Sequence, residues 1–367
     1  MHLYLHVPFC ARRCSYCDFA IAVRRVTPSD EFADLILAEW RRWASDAAWA
    51  GFPELATLYL GGGTPSRLSA DTLARLLDRI VADRPLAPGA EVTIEANPED
   101  VTPALARAWH ASGINRVSLG VQSFDPGVLT WMHRSHTADQ VPRAVGAIRE
   151  AGIANLSLDL IYSLPPELLR DWARDLDQAL DLAPEHLSLY GLTVEHHTPL
   201  GRWVERGESG VATDERYAEE FLLAHRTLTA AGFRHYEVSN YGRPGREAVH
   251  NRAYWRRAPF LGLGPSAHSG VGARRWWNLR EWSDWGREVR AGRSAVAAEE
   301  ELGPEAIAME DLYLGLRTSE GIDQELAPGS EARAWEGAGW AVREHGRIRL
   351  TPEGWLRLDA LVASSLA

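Results

Sequence analysis

The sequence contains no lysine, so all 39 of its basic side chains are arginine. Without a lysine amine, the chain cannot form the Schiff base used by pyridoxal-phosphate and aldolase-type enzymes. It also cannot build the Walker A phosphate-binding loop, which requires lysine. Both classes of enzyme are therefore excluded.

Long hydrophobic runs are also missing. No stretch reaches the roughly 18 consecutive apolar residues of a membrane span. The start MHLYLHVPFC has neither the charged n-region nor the long apolar core of a signal peptide. We therefore expect a cytoplasmic protein.

Cysteine is scarce, with only three in 367 residues. They lie close together at Cys10, Cys14 and Cys17, and an odd, clustered set is a poor framework for disulfides. Three thiolates in so tight a loop can bind three corners of a 4Fe–4S cube and leave the fourth iron without a protein ligand. The alternative is a zinc site with His6 or His2 as fourth ligand, although structural zinc sites favour cysteine pairs from two separate segments.

The charge is acidic overall and unevenly distributed. The chain has 50 acidic residues against 39 basic ones, and a net charge of −11 argues against non-specific nucleic-acid binding. Residues 234–293 contain 12 arginines and 5 acids, whereas residues 300–367 contain 13 acids and 6 arginines. We expect no nucleic-acid partner.

The length is sufficient for about two domains. Up to residue 240, strand-like runs alternate with helical patterns, which predicts βαβ units around a parallel sheet, either doubly wound or closed toward a barrel. Apolar residues at helical spacing predict helices over 32–43, 73–80 and 169–180. The predicted strands cover 3–7, 57–60, 92–95, 116–121, 156–161, 187–194 and 236–239.

The alternation stops after residue 240. We interpret 1–240 as the first domain and the Gly-, Arg- and Trp-rich residues 241–299 as a connecting segment. Residues 300–367 predict a small winged-helix-like α+β domain, with a hairpin over 341–350 and a helix opened by Thr351 and Pro352. Its negative charge disfavours DNA binding.

A second candidate site lies at the predicted strand ends. Three glycines followed by Thr64 end one strand and leave backbone N–H and C=O groups free for a ligand. Glu95, Gln122 and Asp159 lie at the ends of, or within, three further strands. Each alone could be an ordinary structural polar group. Together with the cysteines, they are expected to form one shared site at the reactive end of a parallel barrel.

On these residues the sequence resembles the radical S-adenosylmethionine (SAM) superfamily. The Cys-x3-Cys-x2-Cys spacing, with Tyr16 before the last cysteine, carries the resemblance. The runs GGGTPS, EANP, GVQSF and DLIYSLP narrow it to the group of the oxygen-independent coproporphyrinogen III dehydrogenase and the HemW-type haem chaperone.

The resemblance implies a partial (β/α)6 barrel whose 4Fe–4S cluster binds SAM on its open iron. A smaller C-terminal domain follows the barrel. The resemblance also implies a set of residues that contact SAM or a second copy of it, and it assigns no catalytic residue with certainty. The SAM-contacting set is Tyr4, Tyr16, Gly62, Gly63, Thr64, Glu95, Gln122, Arg134, Asp159 and Thr193.

Two details favour the chaperone over the dehydrogenase. The dehydrogenase has a further cysteine where this chain has Phe19, and it has a long N-terminal arm, whereas few residues precede Cys10 here. The expected function is therefore haem binding and haem transfer to an acceptor protein, with a respiratory haemoprotein as one candidate and membrane contact only through the acceptor. The alternatives are radical-based decarboxylation of coproporphyrinogen III and a purely structural metal-binding scaffold.

The run 250–255 resembles the His-Asn-x-x-Tyr-Trp motif associated with haem binding in HemW-type proteins. This resemblance makes His250, Asn251, Tyr254 and Trp255 the candidate haem site, with an imidazole for iron and flat rings for a porphyrin. The alternative is a loop histidine beside aromatic residues that pack the barrel against the C-terminal domain. Five flanking arginines are expected to pair with haem propionates: Arg243, Arg246, Arg252, Arg256 and Arg257.

We predict that Cys14→Ser abolishes the cluster, because the chain has no fourth cysteine that could replace the lost thiolate. The measurement is the brown visible absorbance of anaerobically reconstituted protein, with the wild type reconstituted in parallel. A variant that keeps the full cluster absorbance contradicts the assignment.

Overall fold

The computed structural model describes residues 1–327 and 329–364. Its strands are β1 (His2–Val7), β2 (Phe9–Cys10), β3 (Ala22–Val23), β4 (Leu55–Gly62), β5 (Leu86–Ala96), β6 (Arg116–Gln122), β7 (Asn155–Tyr162), β8 (His186–Gly191), β9 (Arg234–Glu237), β10 (Asn240–Gly242), β11 (Phe260–Leu263), β12 (His268–Val271), β13 (Arg274–Asn278), β14 (Val296–Glu301), β15 (Ile322–Asp323), β16 (Ala341–Glu344) and β17 (Arg347–Leu350).

The helices follow the strands in an alternating order through the barrel. None of the helices in the described ranges is long and apolar enough to cross a membrane. They are α1 (Ser29–Ala44), α2 (Ala70–Asp83), α3 (Pro103–Ala111), α4 (Pro126–Trp131), α5 (Gln140–Glu150), α6 (Trp172–Asp181), α7 (Pro199–Glu205), α8 (Asp214–Ala230), α9 (Val249–Trp255), α10 (Trp282–Arg290), α11 (Pro304–Leu316), α12 (Gly329–Gly337), α13 (Pro352–Trp355) and α14 (Leu358–Ser364).

Six parallel strands form the expected partial barrel. β1, β4, β5, β6, β7 and β8 pair side by side in chain order, and the intervening helices cover the sheet. Helix α2 is typical, because its apolar residues recur at helical spacing and Leu73, Leu76 and Ile80 are all buried. The parallel α/β architecture is therefore confirmed, and the carboxyl ends of six strands meet at one rim.

Leu169 corrects the prediction of a helix over 169–180. The helix begins only at Trp172, and Asp171 accepts a hydrogen bond at its N-cap from the Arg174 amide. Leu169 lies in the left-handed region, at φ 51°, and is 88% exposed. The Asp171 cap is a stronger start signal than the apolar spacing.

Residues 241–299 extend the main sheet. β11 pairs in parallel with β1. β12, β13 and β14 then follow in order, each antiparallel to the strand before it. β14 runs on to Glu301 and so crosses the expected boundary at residue 299. On the other side of the barrel, β10 pairs antiparallel with β8, and β9 pairs antiparallel with β10. The segment expected to be a connector therefore completes a 12-stranded sheet.

The C-terminal unit, residues 304–327 and 329–364, packs helices around a three-stranded antiparallel sheet in the order β15-β17-β16. The hairpin predicted over 341–350 is present, and both turn residues, His345 and Gly346, have positive φ, as a type I′ turn requires. Thr351 accepts a hydrogen bond from the Gly354 amide and caps the next helix, as predicted.

The basic segment and the acidic C-terminal unit pair with each other. Arg252 and Arg256 both lie 2.6 Å from Glu320, and Arg257 lies 2.9 Å from Glu310. The opposite charges of the two sequence regions therefore meet at the junction between the barrel and the C-terminal unit.

Gly63 allows β4 and β1 to approach closely at the rim. Its amide donates to Val7 O at 2.8 Å, and a Cβ at this position would lie 2.8 Å from the carbonyl carbon of Pro8. Only glycine fits this contact without a shift of the backbone.

We expect Gly63→Ala to lower the free energy of unfolding by about 1–3 kcal/mol, because the added methyl group overpacks against the backbone. Gly146→Ala is the control: it lies within α5, its Cβ would meet nothing within 4 Å, and it should raise stability by about 0.5–1 kcal/mol. Urea unfolding followed by circular dichroism measures both, and equal stability of the two variants contradicts the prediction.

Candidate functional site

The carboxyl ends of the barrel strands surround a cavity of about 440 Å³, which we call the rim cavity. This volume is within the roughly 300–1,000 Å³ typical of small-molecule sites. Except for Tyr4, the residues predicted for the cluster and for SAM all line it. They are Cys10, Cys14, Tyr16, Cys17, Gly62, Gly63, Thr64, Glu95, Gln122, Arg134, Asp159 and Thr193.

The three cysteines reach the rim cavity from β2 and the loop after it. Thr64 Oγ1 donates to Cys10 Sγ at 3.3 Å, and Arg134 Nη1 donates to Cys14 Sγ at 3.6 Å. Burial raises the pKa of Cys10 to about 11, so this thiol is protonated at neutral pH without a metal. Donors aimed at sulfur fit thiolates that are bound to a metal.

The histidines of the zinc alternative are engaged elsewhere. His6 forms hydrogen bonds through both ring nitrogens, to Ala20 O at 2.9 Å and to Tyr4 Oη at 3.1 Å, and His2 Nδ1 lies 2.9 Å from Thr57 Oγ1. Within 1–327 and 329–364, no group of three His, Cys, Asp or Glu side chains is placed to hold one metal ion. In a 4Fe–4S cluster each cysteine binds a different iron, so the three thiolates need not converge on one point as they would around a single metal ion.

Arg134 is a fixed cation at the rim cavity. Its Nη2 donates to Asn97 Oδ1 at 2.6 Å and to Gly120 O at 2.8 Å. Burial opposes the charge, but the nearby Tyr16 and Cys14 outweigh it and raise the pKa of the guanidinium. In the described part of the chain, Arg134 Nε has no hydrogen-bond partner. Arg134 can therefore hold a ligand carboxylate.

Two carboxylates reach the cavity wall from β5 and β7, the strands on either side of β6. Glu95 accepts hydrogen bonds from Tyr59 Oη at 2.8 Å and from the Gly62 amide at 2.9 Å, and burial raises its pKa to about 7. Ser118 Oγ lies 2.9 and 3.0 Å from the two carboxylate oxygens of Asp159, whose pKa burial also raises. Both can accept hydrogen bonds from ligand hydroxyls.

Gln122 reaches the cavity through a β-bulge at the end of β6. The register with β7 shifts between Gly120 and Gln122, and Gln122 has a φ of 65°. A non-glycine residue in this region is strained, and bulges of this kind redirect side chains beside functional sites.

Tyr4 does not line the rim cavity. Its main chain lies deeper in the barrel than Val7 by roughly 10 Å at about 3.3 Å per residue, but its hydroxyl reaches back to His6 Nδ1 at 3.1 Å. Its ring centroid lies 6.0 Å from that of Tyr59 and 6.4 Å from that of His250.

Sequence reasoning missed several residues that line the rim cavity, among them Asn97, Ser118 and Tyr190. Asn97 holds Arg134, and Ser118 holds Asp159. Their positions near strand ends could have identified two of them as lining residues, because Asn97 follows the end of β5 and Tyr190 is one residue from the end of β8.

His250 is a buried residue of helix α9, so the alternative of a loop histidine is wrong. Its Nδ1 lies 2.6 Å from Thr57 Oγ1, its Nε2 lies 2.8 Å from Tyr254 Oη, and its ring stacks on Tyr59. Burial lowers its pKa to about 3, so the imidazole is neutral. It can bind iron only after one of these hydrogen bonds breaks. Asn251 is partly buried on the same helix.

A second cavity, of about 600 Å³, lies between α9 and the C-terminal unit, and we call it the junction cavity. Arg252, Trp255 and Arg256 line it from α9, and Glu320 lines it from the C-terminal unit. The guanidinium of Arg317 covers the Trp255 ring at 4.3 Å. Among the described residues, Trp255 Nε1 has no hydrogen-bond partner.

Of the five arginines that flank the motif, only Arg252 and Arg256 line the junction cavity. Arg243 donates to Ala231 O at 2.7 Å, Arg257 is paired with acidic residues of α11, and the Arg246 carbonyl accepts from Arg116 at 3.1 Å. Arg243 and Arg257 therefore make contacts elsewhere and do not line the junction cavity.

A partial barrel of six parallel strands, with a three-cysteine loop at the carboxyl ends of those strands, defines a radical SAM protein. The Radical SAM superfamily model matches residues 4–179. Coproporphyrinogen III oxidase (HemN) from Escherichia coli, described as a radical SAM enzyme, has a similar fold, with a TM-score of 0.82 over 99% of this chain and 89% of that one. At 22% sequence identity, this likeness concerns the fold alone.

Relatives of higher sequence identity show which family within this superfamily the chain belongs to. The heme chaperone HemW of Mycobacterium tuberculosis is 38% identical over 99% of this chain and 94% of the relative. The heme chaperone HemW of Synechocystis is 37% identical over 87% of this chain and 78% of the relative. The chain belongs to the HemW family of the radical SAM superfamily.

We expect a pH-dependent stability contribution from Glu95. A carboxyl group whose pKa rises on folding stabilises the folded state below its ordinary pKa, and the contribution is lost as pH rises through about 7. Relative to Glu95→Gln, which cannot ionise, the cluster-free wild type should lose about 2–3 kcal/mol between pH 4.5 and pH 7.5.

Urea unfolding across this pH range measures the difference. Glu219→Gln, an exposed position on α8, is the control and should show no comparable slope. A pH-independent difference between wild type and Glu95→Gln contradicts the prediction.

Proposed function

We propose that this protein is a cytoplasmic haem chaperone that binds a 4Fe–4S cluster, SAM and haem, and transfers haem to an acceptor protein. The observation that carries the proposal is the position of α9. This helix contains the His-Asn-x-x-Tyr-Trp motif and forms one wall of the junction cavity. Relatives named heme chaperone HemW, aligned over almost the whole chain, support the same function.

In this proposal Cys10, Cys14 and Cys17 bind three irons of the cluster. The cluster supplies a ligand-accessible iron and one-electron chemistry when it is bound. The hydrogen bonds from Thr64 and Arg134 to sulfur would stabilise the thiolates.

The remaining groups at the rim cavity fit SAM. The carboxylates of Glu95 and Asp159 can accept from ribose hydroxyls, and Arg134 can hold the carboxylate of the amino-acid portion. The free donor at Arg134 Nε supports this role, since it leaves hydrogen-bonding capacity for a ligand.

Haem is the cargo in this proposal, and the junction cavity is its binding site. The Trp255 ring offers an apolar face, and the guanidinium groups of Arg252 and Arg256 suit propionates. Both arginines share one partner, Glu320, so a propionate would compete with a single carboxylate. His250 does not line this cavity: it lies on the opposite face of α9, against Thr57 and Tyr254. It would become the iron ligand only if α9 both released these partners and turned to present it to the cavity.

The acceptor is proposed to be a haemoprotein, such as a respiratory one. Any membrane contact would then be made through that acceptor, and no nucleic-acid partner is proposed. The acidic net charge of −11 supports the last point.

We expect the anaerobically reconstituted protein to bind haem, and we expect the double variant Arg252→Ala/Arg256→Ala to bind it about tenfold or more weakly, since two charge-assisted contacts are lost. The measurement is an absorbance titration with haemin. The matched control is Arg287→Ala/Arg293→Ala, because these two arginines share Glu288 on α10 in the same manner and lie away from the cavity.

Equal losses of haem affinity in both double variants would show that the effect is general electrostatics.

The alternative enzyme function is tested on the same preparation with coproporphyrinogen III and a reductant under anaerobic conditions. Formation of protoporphyrinogen would overturn the proposal of a chaperone alone.

A further inference from the structure

A chain of hydrogen bonds runs through the barrel from the rim cavity to α9. It begins at Asp159, whose Oδ1 lies 3.2 Å from Ser157 Oγ, and continues over 2.8 Å to His186 Nδ1. On the other side of the imidazole, His186 Nε2 lies 2.8 Å from Tyr236 Oη. Tyr236 Oη then accepts from the Ala248 amide at 3.2 Å.

The donors and acceptors of this chain fit a single direction when Asp159 is ionised. The Ser157 hydroxyl must donate to the carboxylate, so its oxygen accepts from His186 Nδ1–H. The opposite nitrogen, Nε2, is then an acceptor, and the Tyr236 hydroxyl donates to it. A change of partner at one end therefore changes which donors are available along the whole chain.

The groups in the middle of this hydrogen-bond chain are shielded from water. Ser157 and His186 are each 1% exposed and Tyr236 is 7% exposed. Burial and the nearby Arg116 hold the pKa of His186 well below its usual range, so its imidazole is neutral and has one donor and one acceptor. Water therefore cannot readily replace a lost partner within the chain.

The two ends lie at the two cavities. Asp159 lines the rim cavity, and Tyr236 lines the junction cavity. Ala248 is the N-cap residue of α9 and has no side chain that could cap the helix. The next two amides, of Val249 and His250, donate to Glu91 from β5 at 3.1 and 3.0 Å. Tyr236 and Glu91 therefore hold the start of α9.

We propose that this chain couples ligand binding in the rim cavity to the haem motif, with His186 and Tyr236 as positioning residues. The inference rests on the proposed function and adds regulation of the haem site. A ligand hydroxyl that donates to Asp159 competes with Ser157 for the carboxylate. Ser157 then shifts, and the His186 imidazole moves with it because its Nδ1–H donates to the Ser157 oxygen. Tyr236, which donates to the opposite nitrogen, follows, and its contact with the Ala248 amide is altered without any proton transfer. Because coupling between two sites is reciprocal, SAM changes haem affinity and haem changes SAM affinity by the same factor.

Tyr236→Phe tests the proposal, because it removes the hydroxyl that joins His186 to the Ala248 amide and keeps the ring. The matched control is Tyr241→Phe: Tyr241 is 1% exposed, and its hydroxyl has no hydrogen-bond partner in the portion of the chain described. Haemin titrations of cluster-reconstituted protein, with and without saturating SAM, give a ratio of affinities for each protein. We expect a ratio of about fivefold or more in the wild type and in Tyr241→Phe, and less than about twofold in Tyr236→Phe.

A second variant protects the test against a folding defect. Ser157→Ala breaks the chain at its other end and leaves the hydrogen bonds from Ser118 to Asp159 in place. It should also reduce the ratio below about twofold while SAM still binds. A wild-type ratio retained in both variants would overturn the chain as the coupling route.

Hydrogen exchange supplies a measurement that does not depend on haem. SAM should change the protection of the amides at 248–250 in wild type and Tyr241→Phe, and leave it unchanged in Tyr236→Phe. If the wild type binds no haem, the proposed function fails and the coupling to haem fails with it. If it binds haem with an affinity indifferent to SAM, only the present inference fails.

Discussion

Close packing of β1 against β4 at the rim is the constraint on which the candidate site depends. A side chain on Gly62 would meet the ring of His6, and one on Gly63 would meet the backbone of Pro8. Because both residues are glycine, the cysteine loop that follows β1 lies directly beside the end of β4. This contact brings Thr64 to Cys10 and the Gly62 amide to Glu95, so cluster ligands and ligand-binding groups share one cavity.

Much of the fold and of the rim cavity could be predicted from sequence, because both follow from one geometric fact. In parallel strands the carboxyl ends meet, so polar residues at successive strand ends must converge. The same reasoning does not give the depth of Tyr4, since the depth of a residue before a strand end follows from the register and from the direction of its side chain. It also failed at Leu169, where a capping aspartate two residues later overrode helical spacing.

The neighbourhood of His250 was least predictable. A motif gives the order of side chains but not their partners, and Thr57 comes from a strand that is distant in sequence. The arginine-rich segment is similar: composition gives the excess of positive charge, whereas the acidic residues that neutralise it belong to the next segment of the chain. Charge asymmetry along the sequence here marks an intramolecular junction, and only two of the five flanking arginines remain at the junction cavity.

The exposure of these junction ion pairs has a consequence for how the molecule responds to ionic strength. Arg252, Arg256 and Glu320 are partly exposed, so dissolved ions screen their attraction at the Debye length of about 8 Å found near 0.15 M salt. The carboxylates at the rim cavity are enclosed by the barrel and are screened much less. Salt concentration therefore weakens the exposed ion pairs of Glu320 at the junction cavity more than it affects the enclosed carboxylates of the rim cavity.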